Sequence, residues 1–112
     1  MVKRFLLFVL FFLAFQSLTA QTDTEFWFAA PDITNGHGDR PIQLKIATGN
    51  DSTEVNIEQP ANPDFQFNDS LYELPPDTVA SIDLTSEIDS IENDIGDSVL
   101  SRGLRITANH PI

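Results

Sequence analysis

The chain has 112 residues, with 17 acidic and six basic side chains and a formal net charge of −11 at pH 7. A surface of this charge repels DNA, RNA and anionic lipid, which argues against a nucleic-acid-binding protein. The chain contains no cysteine, so neither disulfides nor thiol chemistry are available to it, and its length allows one domain at most.

The first twenty residues have the pattern of a secretory signal peptide. Lys3 and Arg4 precede the apolar run of residues 5–15, and a mostly small and polar stretch follows as far as Ala20. Because the run is shorter than the roughly 20 residues that a spanning helix needs, an uncleaved membrane anchor is the less favoured alternative. We expect cleavage after Ala20, leaving residues 21–112 as an exported domain without a membrane span. Four basic residues then face 17 acidic ones, a net charge of about −13.

Aromatic residues open this exported part. Phe26 and Phe28 alternate with Trp27 within residues 25–30, and a period of two indicates a β-strand. We predict a first strand with Phe26 and Phe28 facing the core, and with Trp27 either exposed or covered by a neighbouring element. On this interpretation, replacing Phe28 by alanine is expected to cost about 3–5 kcal/mol as a core truncation.

Two segments in the middle of the chain alternate strictly between apolar and polar residues. They are residues 42–48 (IQLKIAT) and 53–58 (TEVNIE), and both are typical of half-buried strands. The stretch Gly-Asn-Asp-Ser at residues 49–52 suits a tight reversal. The sequence therefore predicts a β-hairpin over residues 42–58.

Period-two alternation recurs at residues 65–67, 78–84 and 104–108, and residues 71–74 offer another short extended stretch. Turns rich in Pro, Gly and Asn separate these stretches. Short strands with such punctuation predict an all-β fold, an antiparallel β-sandwich-like module.

One segment has a helical period instead. Four apolar residues are spaced by four, three and four positions, as on one face of a helix: Leu84, Ile88, Ile91 and Ile95. Ser86 can cap the start and Gly96 can end the segment. We predict one short helical insertion over residues 86–95, with an acidic ordered loop as the alternative.

Catalytic patterns are absent from the sequence. His37 lies in a glycine loop and His110 stands next to Pro111, and neither a Gly-x-Ser-x-Gly nor a His-Glu-x-x-His pattern occurs. We therefore expect no enzymatic activity.

Acidic side chains crowd the predicted helix and could supply the hard oxygen ligands that calcium prefers. The candidate metal ligands are Glu87, Asp89, Glu92, Asp94 and Asp97. Because their spacing does not match an EF-hand loop, a solvated acidic surface is the alternative, and we expect no obligatory cofactor.

Asp-Ser or Asp-Thr followed by an aliphatic residue or threonine occurs five times. The hydroxyls in these pairs belong to Ser52, Ser70, Thr78, Ser90 and Ser98. The pattern is similar to the acceptor motif for O-glycosylation of exported proteins in gliding bacteria. Since Asp-Ser also commonly opens a strand after a loop, a purely local role is the alternative.

Eight short segments carry a family resemblance through their order: TEFWFA (residues 24–29), RPI (40–42), VNI (55–57), QPANP (59–63), IEN (91–93), SVL (98–100), GLRIT (103–107) and HPI (110–112). Taken together, the chain resembles the IgGFc-binding protein N-terminal domain, in the version found in large surface proteins of gliding bacteria. The resemblance implies a β-rich module of a long exported protein, often displayed at the surface through type IX secretion, with no catalytic residues. In the family a further aromatic strand follows a stretch like residues 110–112, so we expect a fragment that is incomplete at its C-terminus.

These observations together predict a secreted or cell-surface, non-catalytic adhesion or interaction module of a bacterium. We expect its partner to be a protein or glycan at the cell surface, bound by the loops at residues 35–40 and 59–63 rather than by Phe26 or Phe28. Two alternatives are a calcium-dependent glycan-binding module and the N-terminal fragment of a larger secreted hydrolase.

Overall fold

The computed structural model describes residues 22–38 and 40–112, which form an all-β fold with one short helix. The predicted signal peptide lies outside the described residues. In chain order the elements are β1 (Glu25–Phe28), β2 (Ala30–Pro31), β3 (Gln43–Ala47), β4 (Thr53–Glu58), β5 (Leu71–Leu74), β6 (Val79–Asp83), α1 (Ile88–Ile91), β7 (Glu92–Asn93) and β8 (Leu104–Ala108). The predicted fold class, with a short helical insertion between strands, is confirmed.

Two antiparallel sheets carry most of the structure. The larger sheet has the strand order β1-β8-β4-β5, and the smaller sheet consists of β3 and β6. Phe26 of β1 lies opposite Ile106 of β8, and Val55 of β4 lies between Ala108 and Tyr72. A two-residue parallel pairing joins β2 to β7. The central strands β8 and β4 therefore have a hydrogen-bonded neighbour on both sides.

The core lies where the two sheets meet, because alternate side chains of each strand face it. The larger sheet contributes four buried aliphatic residues: Val55, Ile57, Leu104 and Ile106. Ile46 and Ile82 of the smaller sheet pack into the same cluster, together with Ile91 of α1. Burial of apolar surface, at about 25 cal/mol per Å², is the main stabilising term for such a sandwich-like arrangement.

The predicted hairpin between β3 and β4 is wrong. β3 pairs with β6, whereas β4 pairs with β5 and β8, so the turn at residues 49–52 leads the chain from the smaller sheet to the larger one. The alternation itself is correct, since Ile46, Val55 and Ile57 all face the core. Period two determines which face of a strand is buried, but it does not identify the neighbouring strand.

The helix is shorter than predicted. A 3-10 turn at Thr85–Glu87 precedes α1, and the chain becomes extended at Glu92, where β7 pairs with β2. Ile88 and Ile91 are buried as predicted, but Ile95 is 54% exposed. Beyond Ile91 the chain therefore pairs with β2 as a strand instead of continuing as a helix.

The prediction that both phenylalanines of the first strand face the core is wrong for Phe28. Phe26 is half-buried against the core, whereas Phe28 is 37% exposed and is therefore not the buried residue that we predicted. Trp27 lies on the opposite face and is 59% exposed. Its indole Nε1 donates to Glu25 at 2.6 Å, and the Arg105 guanidinium lies 5.5 Å from its ring centre. Residues 65–67 form no strand, although Phe65 and Phe67 pack edge to face at 5.1 Å.

Candidate binding groove

A polar groove opens where β5 separates from β4. Its volume is about 490 Å³, and it is lined by residues 56–60, 62–63 and 65–67 and by Ser70. Four of these side chains are amides: Asn56, Gln59, Asn62 and Gln66. We call this surface the amide groove. The predicted binding loop at residues 59–63 forms one of its walls.

The end of the β4–β5 ladder creates the groove. Ile57 donates its backbone N–H to Ser70 at 2.8 Å, which is the last link between the two strands on this side. Beyond it, Pro60 and Pro63 have no backbone N–H to continue a ladder. The chain therefore leaves the sheet and returns only at Leu71.

The buried side chain of Gln59 anchors the loop at residues 59–63. This side chain is only 4% exposed, and its amide nitrogen donates to the backbone carbonyls of Ser90 (2.9 Å) and Arg102 (3.4 Å). Its amide oxygen accepts from Asn62 at 3.2 Å, and its backbone carbonyl accepts from the Asn62 N–H at 3.0 Å. Phe65 continues this chain of contacts by donating to the Asn62 carbonyl at 3.1 Å. The groove wall is thus preorganised by hydrogen bonds to the backbone of α1 and of the segment before β8.

The carboxylate in the lining is neutralised. Glu58 accepts from the Arg105 side-chain Nε at 2.6 Å and forms an ion pair with the same guanidinium. The aromatic ring of Phe65 is half-buried, so the groove combines amide groups with an apolar patch. Such a surface suits an uncharged polar ligand or a segment of protein.

The second predicted loop, residues 35–40, contributes no residue to the lining of the amide groove, and its Asp39 lies outside the described residues. Residues Asn35–His37 form one 3-10 turn, which ends at Gly38 in the left-handed region (φ 78°). The Thr34 hydroxyl and His37 Nδ1 are 2.7 Å apart, and His37 is exposed. Glycine at position 38 allows this turn because a side chain there would strain the backbone.

The five candidate calcium ligands are spread over the region around α1. Glu87 accepts from Asn68, Asp94 forms an ion pair with Arg102 at 2.6 Å, and Glu92 is almost fully buried. Asp89 and Asp97 are exposed. Within residues 22–38 and 40–112, no group of three or more acidic or histidine side chains is placed to hold a metal ion.

The five candidate glycosylation residues differ in accessibility. Ser52, Ser70 and Ser98 are exposed, whereas Thr78 and Ser90 are half-buried. Thr78 bonds the Pro76 carbonyl at 3.1 Å, and Ser90 lies within α1. An enzyme that modifies folded protein would therefore reach the three exposed serines first.

Sequence reasoning gave no binding role to three uncharged polar side chains of the groove: Asn56, Gln66 and Ser70. Asn56 lies in a strand, where the alternation shows only that its side chain faces away from the core. Gln66 and Ser70 lie in the segment that connects two strands. They become neighbours only through the β4–β5 pairing. The only sequence feature that points to this groove is the high content of amide and proline residues at positions 59–66.

Comparisons of the chain with protein-family models, with curated proteins and with solved structures gave no match. None of the helices in the described part of the chain is long and apolar enough to cross a membrane.

Proposed function

We propose that this chain is an exported, non-catalytic β-sandwich-like module of a bacterial cell-surface protein, and that it acts in adhesion or another surface interaction. Export is supported by the charged start, apolar run and small-residue end of the first twenty residues. The bacterial surface is suggested by the resemblance to the IgGFc-binding protein N-terminal domain.

The observation that carries the binding role is the preorganised amide groove. Gln59 holds its wall with hydrogen bonds to Ser90 and Arg102, so little conformational freedom is lost when a ligand binds. The side chains of Asn56 and Gln66 are not needed for this framework, which leaves their amides available to a partner. We propose that the groove contacts a protein or glycan at the cell surface.

Binding can be tested with the purified chain on arrays of surface glycans and extracellular proteins. Asn56→Ala and Gln66→Ala should each weaken binding to the strongest ligand about threefold to tenfold, because each removes one or two hydrogen bonds. Asn50→Ala is the matched control, since Asn50 is an exposed amide outside the groove. Equal binding by all three variants would exclude the amide groove as the site.

Export has its own test. Mass spectrometry of the protein secreted by a bacterial host should give the mass of a chain whose first residue is Gln21. A cell-associated product that retains Met1 would refute cleavage after Ala20.

A further inference from the structure

An apolar slot separates the exposed edge of β3 from β1. Its volume is about 290 Å³, and it is lined by Phe26 and Phe28, by residues 44–47 and by Ile106 and Ile112. We call it the edge slot. It shares no lining residue with the amide groove.

The register of the smaller sheet shows which backbone groups of β3 face away from β6. The Thr48 backbone N–H donates to the Thr78 carbonyl at 2.9 Å, and the Ile42 carbonyl accepts from the Leu84 backbone N–H at 2.9 Å. In an antiparallel pair the hydrogen-bonded residues alternate, so the even-numbered residues of β3 bond to β6. The N–H and C=O groups of Gln43, Lys45 and Ala47 therefore point to the other edge. In the described part of the chain, no backbone hydrogen bond reaches that edge.

We propose that this edge of β3 accepts an extended segment of a partner protein, which adds to the smaller sheet as a third strand. Main-chain hydrogen bonds to Gln43, Lys45 and Ala47 would hold the segment. Its alternate side chains would enter the edge slot and cover Phe26 and Phe28, so the segment needs small or medium apolar residues at every second position.

The charge of β3 selects the partner. Lys45 is exposed, and among the described residues it has no ion-pair partner. It lies at the centre of the five-residue strand Gln43–Ala47. Symmetric antiparallel pairing of two β3 edges would place Lys45 opposite Lys45, and like charges directly opposite are destabilising. A partner strand with a carboxylate at this position gains a cross-strand pair instead, which favours another protein over a second copy of this chain.

Synthetic peptides test this proposal with the full chain. The probe has seven residues, with valine at the odd positions and Thr, Glu and Thr at the even ones, and its binding is followed by fluorescence anisotropy. Ala47→Pro removes one edge N–H without touching the β3–β6 hydrogen bonds, and should weaken binding about tenfold. Ser81→Pro is the matched control, because Ser81 lies opposite Lys45 and its N–H points to the far edge of β6.

A charge exchange keeps the test valid even where a proline variant does not fold. Lys45→Glu should weaken binding of the glutamate probe and strengthen binding of the same peptide with lysine at its centre. Equal affinity of all folded variants for both peptides, or absence of binding to the unmodified chain, would overturn the proposal. Self-association that Ala47→Pro abolishes would also overturn it, since the occupant would then be a second copy. Gln66→Ala should leave peptide binding unchanged, which separates this result from that of the amide groove.

Discussion

Gln59 is the side chain on which the shape of the amide groove depends. Its buried amide satisfies the carbonyls of Ser90 and Arg102 and orients Asn62. A leucine at this position would fill similar volume but remove these hydrogen bonds from a buried position. We therefore expect Gln59→Leu to lower the free energy of unfolding by about 2–3 kcal/mol, measured by urea denaturation.

The exposed Gln66 on the same loop region gives the control for this measurement. Gln66→Leu should change the stability by less than about 0.5 kcal/mol, because no buried group depends on it. If the two variants were equally stable, the anchoring role of Gln59 would be wrong.

Asp83 shows how one exposed carboxylate is coupled to the ends of β3 and β6. It accepts from the Thr85 hydroxyl at 2.5 Å and from the Thr85 backbone N–H at 2.9 Å, and these hydrogen bonds lower the pKa of Asp83 below its ordinary value of 3.8. The Thr85 hydroxyl oxygen in turn accepts from the Ile42 N–H at 3.0 Å. The carboxylate therefore stabilises the fold above its ordinary pKa, and this contribution is lost as the pH falls through the lowered value.

Asp83→Ala should accordingly lower the melting temperature at neutral pH, and this effect should shrink as the pH falls through the lowered pKa of Asp83, because the carboxyl then becomes protonated in the folded state as well. Thermal melts between about pH 7 and pH 2 measure the difference. Asp64→Ala is the control, because the Asp64 side chain makes no hydrogen bond within the described chain. A difference between Asp83→Ala and the unmodified protein that stays constant with pH would contradict the coupling.

At the scale of the strand pair, β4 and β5 carry an unfavourable contact. Glu54 lies directly opposite Glu73, and both are exposed. The Ile57 backbone N–H donates to the carbonyl of Ser70, the residue before β5, and hydrogen-bonded pairs alternate along the two strands. Glu54 and Glu73 therefore form a non-hydrogen-bonded pair, in which side chains lie closest. Glu73→Lys should stabilise the protein by about 0.5 kcal/mol, measured by urea denaturation at low salt.

The neutral variant Glu73→Gln separates the loss of repulsion from the new attraction in the stability gained by Glu73→Lys. It removes the repulsion without adding an attraction, so its effect should lie between those of glutamate and lysine. Both gains should shrink in about 1 M salt, where charges are screened within a few ångströms. A gain that does not depend on salt would show that side-chain packing, rather than charge, is responsible.

The strands show what alternation can predict and what it cannot. Thr53–Glu58 matches the predicted segment at both ends, because its three buried residues alternate with residues that are exposed or half-buried. The partner of that strand was predicted wrongly, since pairing with β5 and β8 depends on packing between distant parts of the chain. The short turn at residues 49–52 was compatible with a hairpin, but local turn chemistry is weaker than burial of Ile46 and Val55 in a common core.

The helix and the candidate site illustrate the same limit. Ile88 and Ile91 follow the helical period because both are buried, but Asn93 donates its side-chain amide to the Ala30 carbonyl at 2.9 Å and belongs to β7. The loop at residues 59–63 could be identified by its prolines and amides. Its neighbours Asn56 and Gln66 could not, because only the sheet register brings them to the same groove.

At the scale of the whole molecule, net charge is the dominant electrostatic feature. The chain carries −11 at pH 7, and the described ion pairs Arg102–Asp94 and Arg105–Glu58 offset few of its acidic groups. Mutual repulsion of the others destabilises the compact state, and salt screens it. Raising NaCl from about 0.01 M to 0.2 M should therefore increase the melting temperature by a few degrees.

Calcium chloride at matched ionic strength distinguishes this general screening from a specific site. If the acidic residues around α1 act only as a diffuse charge, calcium and magnesium should raise the melting temperature equally. A larger shift with calcium that Asp89→Asn and Asp97→Asn reduce, but Asp64→Asn does not, would instead identify cation binding by the exposed carboxylates near the helix. Loss of the salt effect altogether would contradict the repulsion, and would mean that these carboxylates lie too far apart in the folded chain to oppose one another.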